Sequence, residues 1–258
     1  MGVWNGAPQV GEAVQSVLSQ TAADLELIVI DDGSSDATPA ILRSFRDPRL
    51  RIIRRARGGL TSALNAGLAL ARAPLLARLD ADDIALPRRF EQQLEYLERH
   101  PEVGLLGTAA RETDAAGQEV AIVRPPTDDA LIRRALIRRN PFVHSSIVMR
   151  RAAVDQAGGY DEAFPVAQDY DLWMRMSRVT RMANLSDLLV IRRLLPGRVT
   201  AARESERFKA EAHIRWRAVR SGAYPPWCAV WALRPLLAQA LPGAARRALR
   251  RSGSRSDG

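Results

Sequence analysis

Leu25-Glu26-Leu27-Ile28-Val29-Ile30-Asp31-Asp32-Gly33-Ser34-Ser35 is the stretch on which the reading of this chain turns. From Leu25 to Ile30 the residues are almost wholly apolar, the pattern of a strand covered on both faces in a parallel sheet. The run stops on two carboxylates and a glycine, which mark a turn. Thr38-Pro39 then reads as a helix N-cap followed by proline at the first helical position, and Ile41, Leu42 and Phe45 supply an apolar face. This order places an acidic turn at the carboxyl end of a strand, where open α/β sheets bind their ligands.

Outward from that point the order recurs. Leu50-Arg51-Ile52-Ile53 predicts a second strand, and Gly58-Gly59 precedes a helix in which Leu60, Leu64 and Leu68 recur every four residues. Pro74 to Leu79 predicts a third strand, again ending in acids, Asp80-Ala81-Asp82-Asp83, before a helix opened by Pro87 with Phe90, Leu94 and Leu97 inward. Such alternation predicts right-handed crossovers and an α/β fold with a mostly parallel central sheet flanked by helices. Between Val103 and Val123 two short strands around Ala115-Ala116-Gly117 predict antiparallel pairing. A helix over 128–138, a strand over 146–149, a helix over 170–178 and a basic helix over 203–220 complete the expected order.

The chain has 258 residues, 47% hydrophobic and 26% charged, which fits one sizeable core with an appendage and excludes extended disorder. A formal charge of +9 favours an anionic partner, whether a nucleotide phosphate, nucleic acid or an acidic membrane. No recognisable module interleaves aromatic and basic residues, so nucleic acid is not expected. The single cysteine, Cys228, excludes an intramolecular disulfide and a thiolate metal site, and fits a reducing, cytoplasmic setting. Neither a leader pattern nor eighteen consecutive apolar residues occurs in the sequence.

Asp80 and Asp82, two residues apart beyond a strand, fall on one side of an extended turn, and their oxygens suit Mg2+ or Mn2+ completed by substrate phosphates. The competing reading makes Asp80 to Asp83 a strand terminator and helix cap. In Gln168-Asp169-Tyr170-Asp171-Leu172-Trp173, one aspartate reads as a helix cap and the other as a base for deprotonating a hydroxyl.

These residues carry a resemblance. Ile28 to Thr38, Gly59 to Gly67, Leu79-Asp80-Ala81-Asp82-Asp83, Asn140 to Ser146, Gly158 to Glu162 and Gln168 to Trp173 together resemble the motifs of family 2 glycosyltransferases of the GT-A fold, over about Trp4 to Thr200. The resemblance implies a catalytic domain over 1–200, leaving a basic helical extension over 201–251 and a disordered tail over 252–258. It implies an inverting, metal-dependent transfer of one sugar from a nucleotide-diphosphate sugar to an acceptor hydroxyl; the basic tail favours surface polysaccharide or glycolipid assembly over a small glycoside. By that resemblance Asp169 is the base, and Trp4, Asn5, Asp31 and Asp32 hold the nucleoside. Asp80 meets the ribose, and Asp82 is the direct ligand of Mn2+ or Mg2+.

Three departures qualify it. Only Met1-Gly2-Val3 stands where the family has a buried strand, so the first strand is expected to be largely missing and the start to be assigned too late. Gln168 replaces a frequent glutamate, and Leu195 stands where many members have histidine. No motif of the polymerising members follows, so one sugar per encounter is expected. His144 is read as structural or acceptor-side rather than as a metal ligand. Two other readings remain beside this one: a nucleotidyltransferase, although a glycine-rich loop with a partner lysine is lacking, and a non-catalytic relative that binds nucleotide or scaffolds an assembly. Residues 227–251, apolar and aromatic and then rich in arginine, read either as a surface for an anionic membrane bearing the acceptor or as a helix packed on the core.

Overall fold

The computed structural model describes residues 1–195 and 203–240, with side chains described through residue 234. Two compact units are present, Met1–Pro196 and Gly197–Gly258. The expected boundary at 200/201 and the tail at 252–258 lie outside the described residues. No described helix is long and apolar enough to cross a membrane.

In the first unit, β1 (Gly2–Val3), β2 (Leu27–Asp31) and β3 (Leu50–Arg54) form a parallel three-stranded sheet. All five residues of β2 are buried. Val10, Val14 and Val17 of α1 (Val10–Leu18) pack with Leu27, Val29 and Leu42, whereas Ile28 and Ile30 pack with Ala63 of α3 (Leu60–Leu70). Burial on both faces is what the apolar run predicts, each large side chain contributing about 1.5–3 kcal/mol. β1 comprises only the two residues Gly2 and Val3. The Met1 amine donates to the Ile28 carbonyl at 2.9 Å, and the Met1 carbonyl accepts from the Ile30 amide at 2.8 Å. A largely apolar cavity of about 500 Å³ adjoins Met1, between Leu25, Leu27 and Ile28 on one side and Leu75, Leu76 and Met149 on the other.

The second sheet has six strands: β4 (Leu75–Ala77), β5 (Ile84–Ala85), β6 (Val103–Thr113), β7 (Glu119–Val123), β8 (Val148–Arg150) and β9 (Arg181–Arg193). Their order is β4-β8-β6-β9-β5, with β7 on the β8 side of β6. Only β6 and β9 pair in parallel here, and the other four pairings are antiparallel. The α/β architecture stands, but the expected mostly parallel sheet is a mixed one. The departure arises where β8 enters between β4 and β6, antiparallel to both, and where the two-residue β5 runs against β9.

The helix after β2 differs from its expected start. In α2 (Thr38–Ser44) Ala37 holds the cap position without a side-chain bond, and Thr38 is already helical. Its hydroxyl accepts instead from the Gly6 amide at 2.9 Å. The remaining helices of this unit are α4 (Arg89–Arg99), α5 (Asp129–Leu136), α6 (Arg151–Ala157) and α7 (Gln168–Met176). Asp128 caps α5, accepting from the Leu131 amide at 2.9 Å. The second unit contains α8 (Glu204–Arg220) and α9 (Ala229–Ala240), linked through a 3-10 turn at Pro226–Cys228.

Candidate active site

The turn after β2 is held by its own carboxylates. Asp31 Oδ1 accepts from the Ser34 amide at 3.0 Å, and Gly33, at φ +76°, sits where a Cβ would come within 2.9 Å of the Arg57 amide nitrogen. Asp31 Oδ2 lies 3.5 Å from Arg54 Nε but is buried without a hydrogen-bond partner. Both oxygens of Asp32 are engaged, with the Gly58 amide at 2.9 Å and the Gly59 amide at 2.7 Å. Asp32 therefore ties the β2 turn to the start of α3.

Trp4 and Asn5 lie against the same turn. The Asn5 amide donates to Ser34 Oγ and Asn5 Oδ1 accepts from the Ser35 amide, each at 2.9 Å. Asn5 takes the left-handed conformation that this short polar side chain tolerates. Trp4 is half-exposed, with the Arg57 guanidinium 3.5 Å above its ring.

The second acidic cluster is built around a serine. Ser145, in the 3-10 turn His144–Ser146, contacts Asp80 Oδ2 at 2.9 Å and also bonds Asp83, accepts from Arg78 Nη1 at 3.0 Å and accepts from the Asp80 amide at 3.2 Å. The Arg78 guanidinium also binds Asp80, holding that carboxylate well below its ordinary pKa against the opposing effect of burial. Asp83 is fully buried and accepts from the Arg193 amide at 2.9 Å, fixing the turn to the end of β9. Burial first, and then the charges of Asp80 and Asp82, push Asp83 up to about 7.

Oxygens of Asp80, Asp82 and Asp83 lie within 4.8 Å of one another. An all-oxygen donor set fits a divalent, oxygen-preferring cation such as Mg2+ or Mn2+. His144 stands outside this set: its Nε2 lies 2.9 Å from the Tyr160 hydroxyl, its ring meets Tyr160 and Trp173 edge-on, and burial with nearby Arg78 lowers its pKa well below that of a free imidazole.

Asp169 and Asp171 part company. Asp171 is fully buried and paired with Arg175 at 2.6 Å, and Arg175 also binds the Gly159 carbonyl at 2.7 Å. Neither aspartate caps α7, whose cap residue Ala167 makes no side-chain bond. Asp169 is half-buried, and its Oδ2 accepts from Asn140 Nδ2 at 2.7 Å. Burial raises its pKa, while the Tyr170 amide, Arg78 and Asn140 oppose the rise and the charge of Asp80 adds to it. Asp169 thus shares one electrostatic environment with Arg78 and Asp80. Ser145, Arg78 and Asp83 were not singled out by the sequence, although Arg78 and Asp80, two apart in an extended segment, share a side by alternation.

The family model described as Glycosyl transferase family 2 matches residues 1–158. The amylovoran biosynthesis glycosyltransferase AmsE of Erwinia amylovora is 37% identical over 183 residues, covering 69% of this chain and 68% of the relative. Among solved structures, TarS of S. aureus in complex with UDP-GlcNAc aligns with a TM-score of 0.67 at 19% identity, over 83% of this chain and 64% of TarS. The mannosyltransferase PcManGT of Pyrobaculum calidifontis, in complex with GDP-Man and Mn2+, aligns with a TM-score of 0.65 at 20% identity, over 98% and 77%. These two establish the fold, and the family match together with the AmsE relative establishes the lineage: the chain belongs to glycosyl transferase family 2, and it is a glycosyltransferase.

Proposed function

We propose that this protein moves one sugar from a nucleotide-diphosphate sugar to an acceptor hydroxyl with inversion, in a metal-dependent reaction serving surface polysaccharide or glycolipid assembly. The observation that carries this reading is Asp169: a half-buried carboxylate with a raised pKa, held by Asn140 and sensing Arg78 and Asp80. Its ionised form takes the proton of the acceptor hydroxyl as that oxygen attacks the anomeric carbon, and the nucleoside diphosphate departs from the opposite face. Trp4 and Asn5 border the nucleoside, and the unpartnered Asp31 Oδ2 accepts from an N–H of its base. Asp32 supports that pocket through Gly58 and Gly59 while bordering the nucleoside, and Asp80 meets the ribose. Asp82 is the direct ligand of Mn2+ or Mg2+, beside Asp80 and Asp83. Such a cation supplies Lewis-acid stabilisation of charge on the departing diphosphate.

The donor class is supported by UDP-GlcNAc in TarS and GDP-Man in PcManGT, and the pathway by the name of AmsE. The acceptor is a glycan, lipid-linked or small-molecule hydroxyl. We place the reaction in the cytoplasm, with the protein held peripherally on an anionic membrane face. The test is NMR of the product formed from a panel of nucleotide sugars with Mn2+. Inverted anomeric configuration and a single added residue are expected; retained configuration or a polymer overturns the reading.

A further inference from the structure

The net charge of the chain belongs to one of its two units. Residues 1–196 carry 25 basic and 25 acidic side chains, whereas residues 197–258 carry 13 basic and four acidic ones, so the whole formal +9 resides in the second unit. Within that unit Arg215 Nη1 donates to the Trp231 carbonyl at 3.0 Å, fixing α8 against α9, while Ile214, Ala218 and Ala232 are buried. The reverse holds for Trp227, Val230 and Leu233, which are 75%, 59% and 54% exposed. Placed three residues apart through the 3-10 turn and α9, they advance by roughly one helical turn each and form a row along one side. Arg234, also exposed, follows the row directly.

We propose that this row is a docking surface for an anionic lipid bilayer. Trp227, Val230 and Leu233 enter the boundary between headgroups and acyl chains, the exposed Arg234 beside them meets lipid phosphates, and the net positive charge of the unit draws it to an anionic surface. Charge complementarity selects an anionic partner, and the aliphatic Val230 and Leu233 select a bilayer over nucleic acid, because single strands are gripped by stacking on aromatic rings. Neither signal suffices alone, since a short apolar row binds membranes only marginally and is reinforced by basic charge. This inference deepens the proposed membrane placement and rests on it: the unit would hold the transferase where a lipid-linked acceptor lies.

The test uses the whole chain and its only cysteine, Cys228, which adjoins Trp227. A fluorophore sensitive to polarity is attached there, and the protein is mixed with phosphatidylcholine vesicles with and without phosphatidylglycerol. Docking predicts a blue shift and co-flotation with the anionic vesicles only, both weakened by salt. The double variant Trp227→Asp, Leu233→Asp is expected to partition at least roughly ten-fold less while binding nucleotide sugar as well as the parent. No shift on anionic vesicles, an equal shift on neutral ones, or a stronger shift with single-stranded or duplex DNA overturns the docking surface. Nucleotide-sugar binding measured on the same samples keeps the two readings separate: donor binding without docking sinks the surface alone, and docking without donor binding sinks the transferase site alone.

Discussion

Asn140 Nδ2 donates to Asp169 Oδ2 at 2.7 Å, across 29 residues of sequence, so the carboxylate assigned the proton transfer is oriented by an amide that favours its ionised form, although burial raises its pKa overall. Asn140 is one of the groups that hold the Asp169 pKa down against burial. The acid limb of kcat/KM should therefore lie above the ordinary carboxylate range, activity falling as pH drops through the raised pKa. Asn140→Ala removes a lowering influence and should move that limb to still higher pH. A limb that stays in place in the variant would separate Asn140 from the base.

Ser145 bonds both Asp80 and Asp83 and joins their turn to a segment 65 residues away. Groups that orient ligating carboxylates typically contribute 10- to 100-fold to metal affinity. Ser145→Ala should weaken Mn2+ binding by about that factor, read by titration calorimetry, while Ser145→Thr retains the hydroxyl and should restore much of it.

Asp83 links stability to pH and metal. Its folded pKa, about 7, lies above its unfolded value, so the folded chain binds the extra proton. Its stabilising contribution is full below the ordinary carboxylate range and is lost as pH rises toward and through 7. A bound cation favours the ionised form and opposes that loss. In thermal melts, the gain in Tm on replacing EDTA with Mn2+ should be larger at pH 8 than at pH 5, each kcal/mol appearing as about 2–4 °C for a chain of this size.

The fully buried Asp171 pairs with the partly exposed Arg175 in a structural role. Arg175→Ala removes this ion pair and the bond to the Gly159 carbonyl, and should cost about 1–3 kcal/mol of stability in denaturant melts. Preserved stability would show that Asp171 is solvated or neutral.

The parts of the fold that were legible in the sequence are those written in local pattern. β2 announces itself because both its faces are buried, and the acids that end it and β4 follow directly along the chain. β9, the longest strand, did not stand out: Arg181, Asn184, Ser186 and Asp187 interrupt any alternation, and its pairing with β6 shifts register more than once. The antiparallel pairing of β6 with β7 was legible from the turn between them, whereas the antiparallel entry of β8 and β5 was not, since pairing direction depends on distant partners. In the site, the aspartates were visible as clusters. Ser145 and Asn140 lay within a quoted stretch, but what their side chains hold becomes apparent only when residues 29 to 65 positions away are brought beside them.

Proton transfer by Asp169 beside a cation held at Asp82 is tested most directly by release of nucleoside diphosphate from an accepted nucleotide sugar in the presence of acceptor, with Mn2+ or EDTA, for the parent, Asp169→Asn and Asp82→Ala. Metal-dependent turnover is expected, with a loss of roughly 10²- to 10⁴-fold in Asp169→Asn with donor binding intact, and loss of the response to metal in Asp82→Ala. Turnover in Asp169→Asn equal to the parent, or turnover indifferent to EDTA, would contradict it.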